Sequence, residues 1–111
     1  MKVVSVQPAG QLTRWLSKTT SIPVQAGATY SASAWFKTSG VSDHAVITIN
    51  FWDVNSIHLG STDGNTLSGT ANWTLLSTQA VAPAGTAYVR VEFRLWGPGS
   101  MWADDVTLTK N

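Results

Sequence analysis

Between Tyr88 and Trp96 the chain alternates strictly. Val89, Val91, Phe93 and Leu95 share one parity, and Tyr88, Arg90, Glu92, Arg94 and Trp96 share the other. A period of two over this length predicts a β-strand with one dry and one wet face. Tyr30 to Lys37 follows the same rule, with Tyr30, Ala32, Ala34 and Phe36 on one side and Ser31, Ser33, Trp35 and Lys37 on the other. In Val46 to Asp53 the stronger apolar face is Ile47, Ile49 and Phe51, and the mixed one is Val46, Thr48, Asn50 and Trp52. Lys2 to Gln7, Trp73 to Ala82 and Met101 to Thr109 read as further strands. Gln11 to Val24 reads as an extended, edge-like segment, because Pro23 cannot donate to a central ladder.

Turns are predicted at Pro8-Ala9-Gly10, Ala26-Gly27-Ala28, Thr38 to Asp43, Pro83-Ala84-Gly85 and Gly97-Pro98-Gly99. Asn55 to Gly69 reads as a loop region with one short strand at Ile57-His58-Leu59. About seven short strands, regular turn signals and no helical period predict an all-β fold. The expected architecture is one antiparallel β-sandwich over residues 1–111, with two packed sheets.

Composition narrows the function. Charged residues are only 12% and the net charge is +1, so no basic footprint for nucleic acid exists. No apolar run approaches the ~20 residues of a helical membrane span. With no cysteine, thiol chemistry and disulfides are excluded. Glu92 is the only Glu and is flanked by Arg90 and Arg94, which ill suits the protonated member of a glycosidase carboxyl pair. Neither a phosphate loop nor a nucleophile elbow is visible. No catalysis is expected.

Six Trp in so small a domain exceed what one core needs. Trp35, Trp52 and Trp96 fall on polar parities of three strands. They are candidates for an aromatic platform, with Arg90, Glu92, Arg94 and Asn50 as polar partners and Ser31, Ser33 and Gln79 as weaker ones. The same charged residues also read as a plain cross-strand ladder. Trp73 and Trp102 read as core. Trp15 fits a platform extension, an edge cap or an oligomer contact. His44 and His58 read as loop residues, and Asp53, Asn55, Asp63 and Asn65 as turn formers.

Several segments together resemble the carbohydrate-binding modules of the galactose-binding-like jelly-roll group, of the family four, nine and sixteen type. They are Val24 to Trp35, Val46 to Asp53, Trp73-Thr74-Leu75-Leu76-Ser77, Ala82-Pro83-Ala84-Gly85-Thr86, Tyr88-Val89-Arg90-Val91 and Trp102 to Leu108, and they span nearly all of residues 22–109. The resemblance implies a jelly-roll sandwich and a secreted, non-catalytic module beside a glycoside hydrolase. It also implies a polysaccharide ligand; the net charge of +1 fits a neutral β-glucan, xylan or mannan better than a uronate polymer, an option that Arg90 and Arg94 keep open. In such modules the segment matching Asp104 and Asp105 often lends a carboxylate to a structural calcium, so these two are candidate calcium ligands; their other reading is a strand-end turn with solvated carboxylates. The Asn/Gly-Phe-Glu opening strand that usually completes that calcium site does not precede Lys2. The other expectation is an assembly module, of capsid-decoration or surface-layer type, that buries the same Trp set between subunits of a homo-oligomer.

Overall fold

A computed structural model describes residues 24–111 in full and the strand backbones Lys2–Ser5 and Leu12–Leu16. The expected turn at Pro8-Ala9-Gly10 and the edge-forming Pro23 lie outside the described residues. The strands are β1 (Lys2–Ser5), β2 (Leu12–Leu16), β3 (Thr29–Trp52), β4 (His58–Val81), β5 (Tyr88–Trp96) and β6 (Gly99–Lys110). All pairings among them are antiparallel.

The two longest strands make the sandwich. A straight strand of 24 residues would reach about 80 Å at ~3.3 Å per residue. The longest extent of the molecule is 39 Å, so β3 and β4 must fold over. They do so as one bent hairpin, with register shifts between Phe36 and Thr38, Thr38 and Val41, and Val41 and Ala45. Gly40, at the bend, has φ 61°, a conformation open to glycine at no steric cost. The first part of β3 pairs with β6 through Ser39, and its last part pairs with β5 from His44 onward. One layer is therefore β1-β6-β3-β4, and the other is β2-β5-β3-β4, with β3 and β4 shared.

The facing sides of these layers form the core. Tyr30, Ala32, Ala34, Phe36, Leu76, Met101 and Ala103 come from the first layer. Ile47, Ile49, Phe51, Val89, Val91, Phe93 and Leu95 come from the second. Phe36 meets Phe93 edge to face across the gap, with ring centroids 5.0 Å apart. Tyr30 meets Phe51 in the same way at 6.2 Å. The period-two assignments of Tyr30 to Phe36, Ile47 to Phe51 and Val89 to Leu95 thus face the core as expected.

Three local expectations are corrected. Thr38 to Asp43 is not a turn between strands but the bend of a continuous β3. Asn55 to Gly69 is mostly the first half of β4. Among the described residues this strand pairs only with β3, which makes it an edge of both layers, and its largely exposed residues need no apolar alternation. Asp63 and Asn65 are strand residues rather than turn formers: Asp63 Oδ1 accepts from Thr48 Oγ1 at 2.7 Å, and Asn65 Oδ1 accepts from Ser77 N at 2.9 Å. The second bond, with Thr78 Oγ1 donating to the Thr62 carbonyl at 3.2 Å, ties the two halves of β4 together and closes one side of the sandwich. Asp53 does form a turn, accepting from Asn55 N at 2.8 Å and Ile57 N at 2.9 Å.

Candidate functional site

The bend in β3 decides where each wet-face residue goes. Those before it point outward from the first layer, and those after it point outward from the second. Trp35 therefore lies on the opposite side of the molecule from Trp52 and Trp96. These last two share a face but not a place. Trp52 pairs with Tyr88 and His44 pairs with Trp96 in the same ladder, which puts the two indoles eight residues, or about 27 Å, apart. The expected platform of three indoles is not formed, because parity assigns a residue to a face of its own strand and not to a sheet.

What does assemble is a cleft of about 220 Å³ on the outer side of the second layer, lined by Asn50, Trp52, His58, Glu92 and Arg94. Four of these five were singled out from the sequence. Alternation brings them together, since Thr48 pairs with Glu92, Asn50 with Arg90 and Trp52 with Tyr88. His58 was missed. It reaches the cleft because Trp52 pairs with His58 on β4, the strand hidden in a Gly- and Ser-rich stretch. The alternating Trp52 parity was its one available signal. His44, read as a loop residue, is also in a strand; its ring stacks on Trp96 at 6.1 Å and its Nδ1 lies 2.7 Å from Asp43 Oδ1.

The floor of the cleft is polar and dry. Glu92 and Asn50 are each only 1% exposed. Asn50 Nδ2 donates to Glu92 Oε2 at 2.9 Å, and Arg94 Nε donates to Glu92 Oε1. The Arg94 guanidinium also lies 3.5 Å from Asp63 Oδ1, so it stands between two carboxylates. Burying Glu92 is tolerable only because both of its oxygens are satisfied and its charge is matched. The wall is aromatic. Trp52 and His58 meet edge to face with centroids 4.9 Å apart, and the Arg90 guanidinium sits 5.6 Å from the Trp52 ring centre. Two buried polar atoms of the lining residues, Asn50 Oδ1 and Trp52 Nε1, lack a hydrogen-bond partner.

The other Trp expectations change too. Trp73 is 44% exposed, not core, because it shares the outward parity of Leu75. Trp102 is half-buried on the outer side of the first layer, opposite Lys37, whose Nζ lies 5.5 Å from its ring centre. The expected parity of Met101 to Thr109 fails at Asp105, whose φ of 53° marks an irregularity. Ser33 pairs with Thr107 but Trp35 with Asp104, and so Met101 and Ala103 face inward while Trp102 does not. Trp15 stands opposite Phe93 in the β2–β5 ladder.

Asp104 and Asp105, the candidate calcium ligands, are exposed at this bulge, where Asp104 Oδ1 accepts from Asp105 N at 2.9 Å. Among the described residues no group of three or more His, Asp or Glu side chains gathers there. Calcium takes six to eight oxygens, so a site here would need ligands beyond these two carboxylates.

No family profile matches the chain, and no curated protein matches it in sequence. Solved structures do match in shape. One is the enzymatically active domain of bacteriophage CBA120 tailspike protein 4, with a TM-score of 0.75 and 15% identity over 99% of this chain and 15% of that one. Another is the CBM22-1–GH10 modules of the Clostridium thermocellum endo-1,4-beta-D-xylanase 10B, complexed with xylohexaose, with a TM-score of 0.69 and 18% identity over 99% of this chain and 21% of that one. A third is a family 16 carbohydrate-binding module, with a TM-score of 0.62 and 16% identity over 97% of this chain and 74% of that one. The chain spans only a small part of the first two. At these identities the likeness shows the fold, a β-sandwich shared with carbohydrate-binding modules, in line with the resemblance read from the sequence.

Proposed function

We propose that this sandwich is a non-catalytic module that binds a neutral polysaccharide of β-glucan, xylan or mannan type, and that its Trp52 cleft holds one ring of the chain. The observation that carries the reading is the cleft itself, where the aromatic wall of Trp52 and His58 stands beside the hydrogen-bonding side chains of Asn50, Glu92 and Arg94. Sugar hydroxyl groups both give and take hydrogen bonds, which suits such a lining. The indole face suits the C–H face of a pyranose. Glu92 serves as the anchor that holds Asn50 and Arg94 in place, since both of its oxygens are engaged. The resemblance to carbohydrate-binding modules makes it a secreted module, and by analogy with the CBM22-1–GH10 xylanase it stands beside a glycoside hydrolase domain.

The expected affinity is modest. A stacked ring burying ~50 Å² gains about 1 kcal/mol. Three or so hydrogen bonds at ~0.5–1.5 kcal/mol each bring the sum to millimolar or somewhat tighter binding. Affinity electrophoresis in gels containing xylan, xyloglucan, glucomannan, cellulose derivatives or pectin tests this. At least one neutral polymer is expected to retard the protein. Trp52→Ala is expected to weaken that retention about tenfold, the loss of one stack and one bond. Unchanged migration in every gel would remove the proposal. Sedimentation as a tight oligomer that shields Trp52 from quenchers would instead support the assembly reading.

A further inference from the structure

The outer side of the first layer carries a second aromatic group. Trp35 is 41% exposed, Trp73 44% and Leu75 47%. Trp35 pairs with Leu75 on one side and with Asp104 on the other. Trp73 lines the same cleft as Trp35, and Trp102 pairs with Lys37 on β6. Two clefts adjoin on this face: one of about 260 Å³ between Trp35, Trp73, Asp104 and Asp105, and one of about 440 Å³ reaching Lys37, Asn72 and Trp102.

The occupant can be argued from size and charge. A fully buried aromatic side chain covers at most ~250 Å², so the exposed parts of Trp35 and Trp73 offer about 200 Å². A standard protein interface needs ~800 Å² on each partner. Trp35 and Trp73 supply only about a quarter of that area, and polar side chains break the patch. A nucleic acid would meet Asp104 and Asp105 in the first cleft, whose described lining holds no cation. A slender, uncharged chain with ring faces fits what remains: separated indoles with carboxylate, amide and hydroxyl groups between them.

We infer that this face is a second binding surface for an extended neutral glycan, with its rings stacked on Trp35 and Trp73 and its margin at Trp102. The surface lies on the far side of the sandwich from the Trp52 cleft, and it rests on different residues. Two such surfaces on one small domain bind a multivalent polymer more tightly than either alone and can join two chains.

The test uses the same gels with three proteins: Trp52→Ala, the double variant Trp35→Ala/Trp73→Ala, and all three substitutions together. Melting temperature and sedimentation are recorded for each. The double variant is expected to lose about tenfold in retention, and the triple variant all of it. Trp73→Tyr, which keeps a ring face, is expected to retain most of the binding and guards against a folding artefact. A double variant that migrates like wild type, while Trp52→Ala abolishes retention, overturns the second surface and leaves the cleft standing. The opposite pattern overturns the cleft alone. A dimer that Trp35→Ala/Trp73→Ala converts to monomer gives the face to a second copy and overturns the inference. Failure of every polymer to retard the wild type overturns both surfaces.

Discussion

Arg94→Ala is expected to lower the unfolding free energy by about 3 kcal/mol, among the largest losses available to a single side chain here. The reason lies in Glu92, which is buried and takes hydrogen bonds from Asn50 and Arg94. Removing the guanidinium takes a matching charge and a hydrogen bond away from a carboxylate held in a dry site. Asp63, whose Oδ1 lies 3.5 Å from the same guanidinium, loses a partner as well, but it sits nearer water and adds little. For a domain of this size the loss corresponds to a fall of roughly 12 °C or more in Tm. The second variant in the cycle is Glu92→Gln/Arg94→Ala. With the buried charge gone, the double variant is expected to recover at least about 1 kcal/mol relative to Arg94→Ala alone. Chemical denaturation of the four proteins checks this. An Arg94→Ala protein as stable as wild type would show that the Glu92 charge does not depend on Arg94.

Gly64→Ala is expected to cost about 3 kcal/mol, by crowding rather than by loss of a contact. A Cβ at this position would lie 2.1 Å from the Ser77 carbonyl oxygen and 3.0 Å from Ile47 Cγ2. The oxygen belongs to the backbone of the other half of β4, so relief requires the closed side of the sandwich to open. That movement would also stretch the bond from Ser77 N to Asn65 Oδ1. Gly60, in the same strand, is the control. A Cβ there meets nothing within 4 Å, and Gly60→Ala is expected to change stability by no more than about 0.5 kcal/mol. Equal melting temperatures for the two variants would mean that the β4 halves are not held in contact.

The Glu92 floor and the Gly64 closure differ in how far they could be read beforehand. Glu92 and Arg94 stand two residues apart in a strictly alternating run, so their common face was legible. That the face is dry at its centre was not. Gly64 gave no sign of a close approach, because the residue that crowds it is thirteen positions away across a fold in the same strand. The Trp residues divide in the same manner. Trp35 and Trp52 were correctly placed on outward parities, yet the bend at Gly40 sends them to opposite sides of the molecule. Trp73 read as core from the family resemblance and Trp102 from its shared parity with Val106 and Leu108; outward parity in the first layer, and the irregularity at Asp105, put them elsewhere.

Local alternation alone determined that this chain makes strands, which residues of Tyr30 to Phe36, Ile47 to Phe51 and Val89 to Leu95 enter the core, and that the product is a sandwich. Period two is a property of a single strand, and burial of one face enforces it without reference to any neighbour. The tertiary structure decided which strands share a layer, how far apart two residues of one face stand, and that His58 rather than Trp35 or Trp96 joins Trp52. Those relations come from the folding-over of β3 and β4 and from long-range register, which are set by the packing of the two layers against each other and leave no periodic trace along the chain.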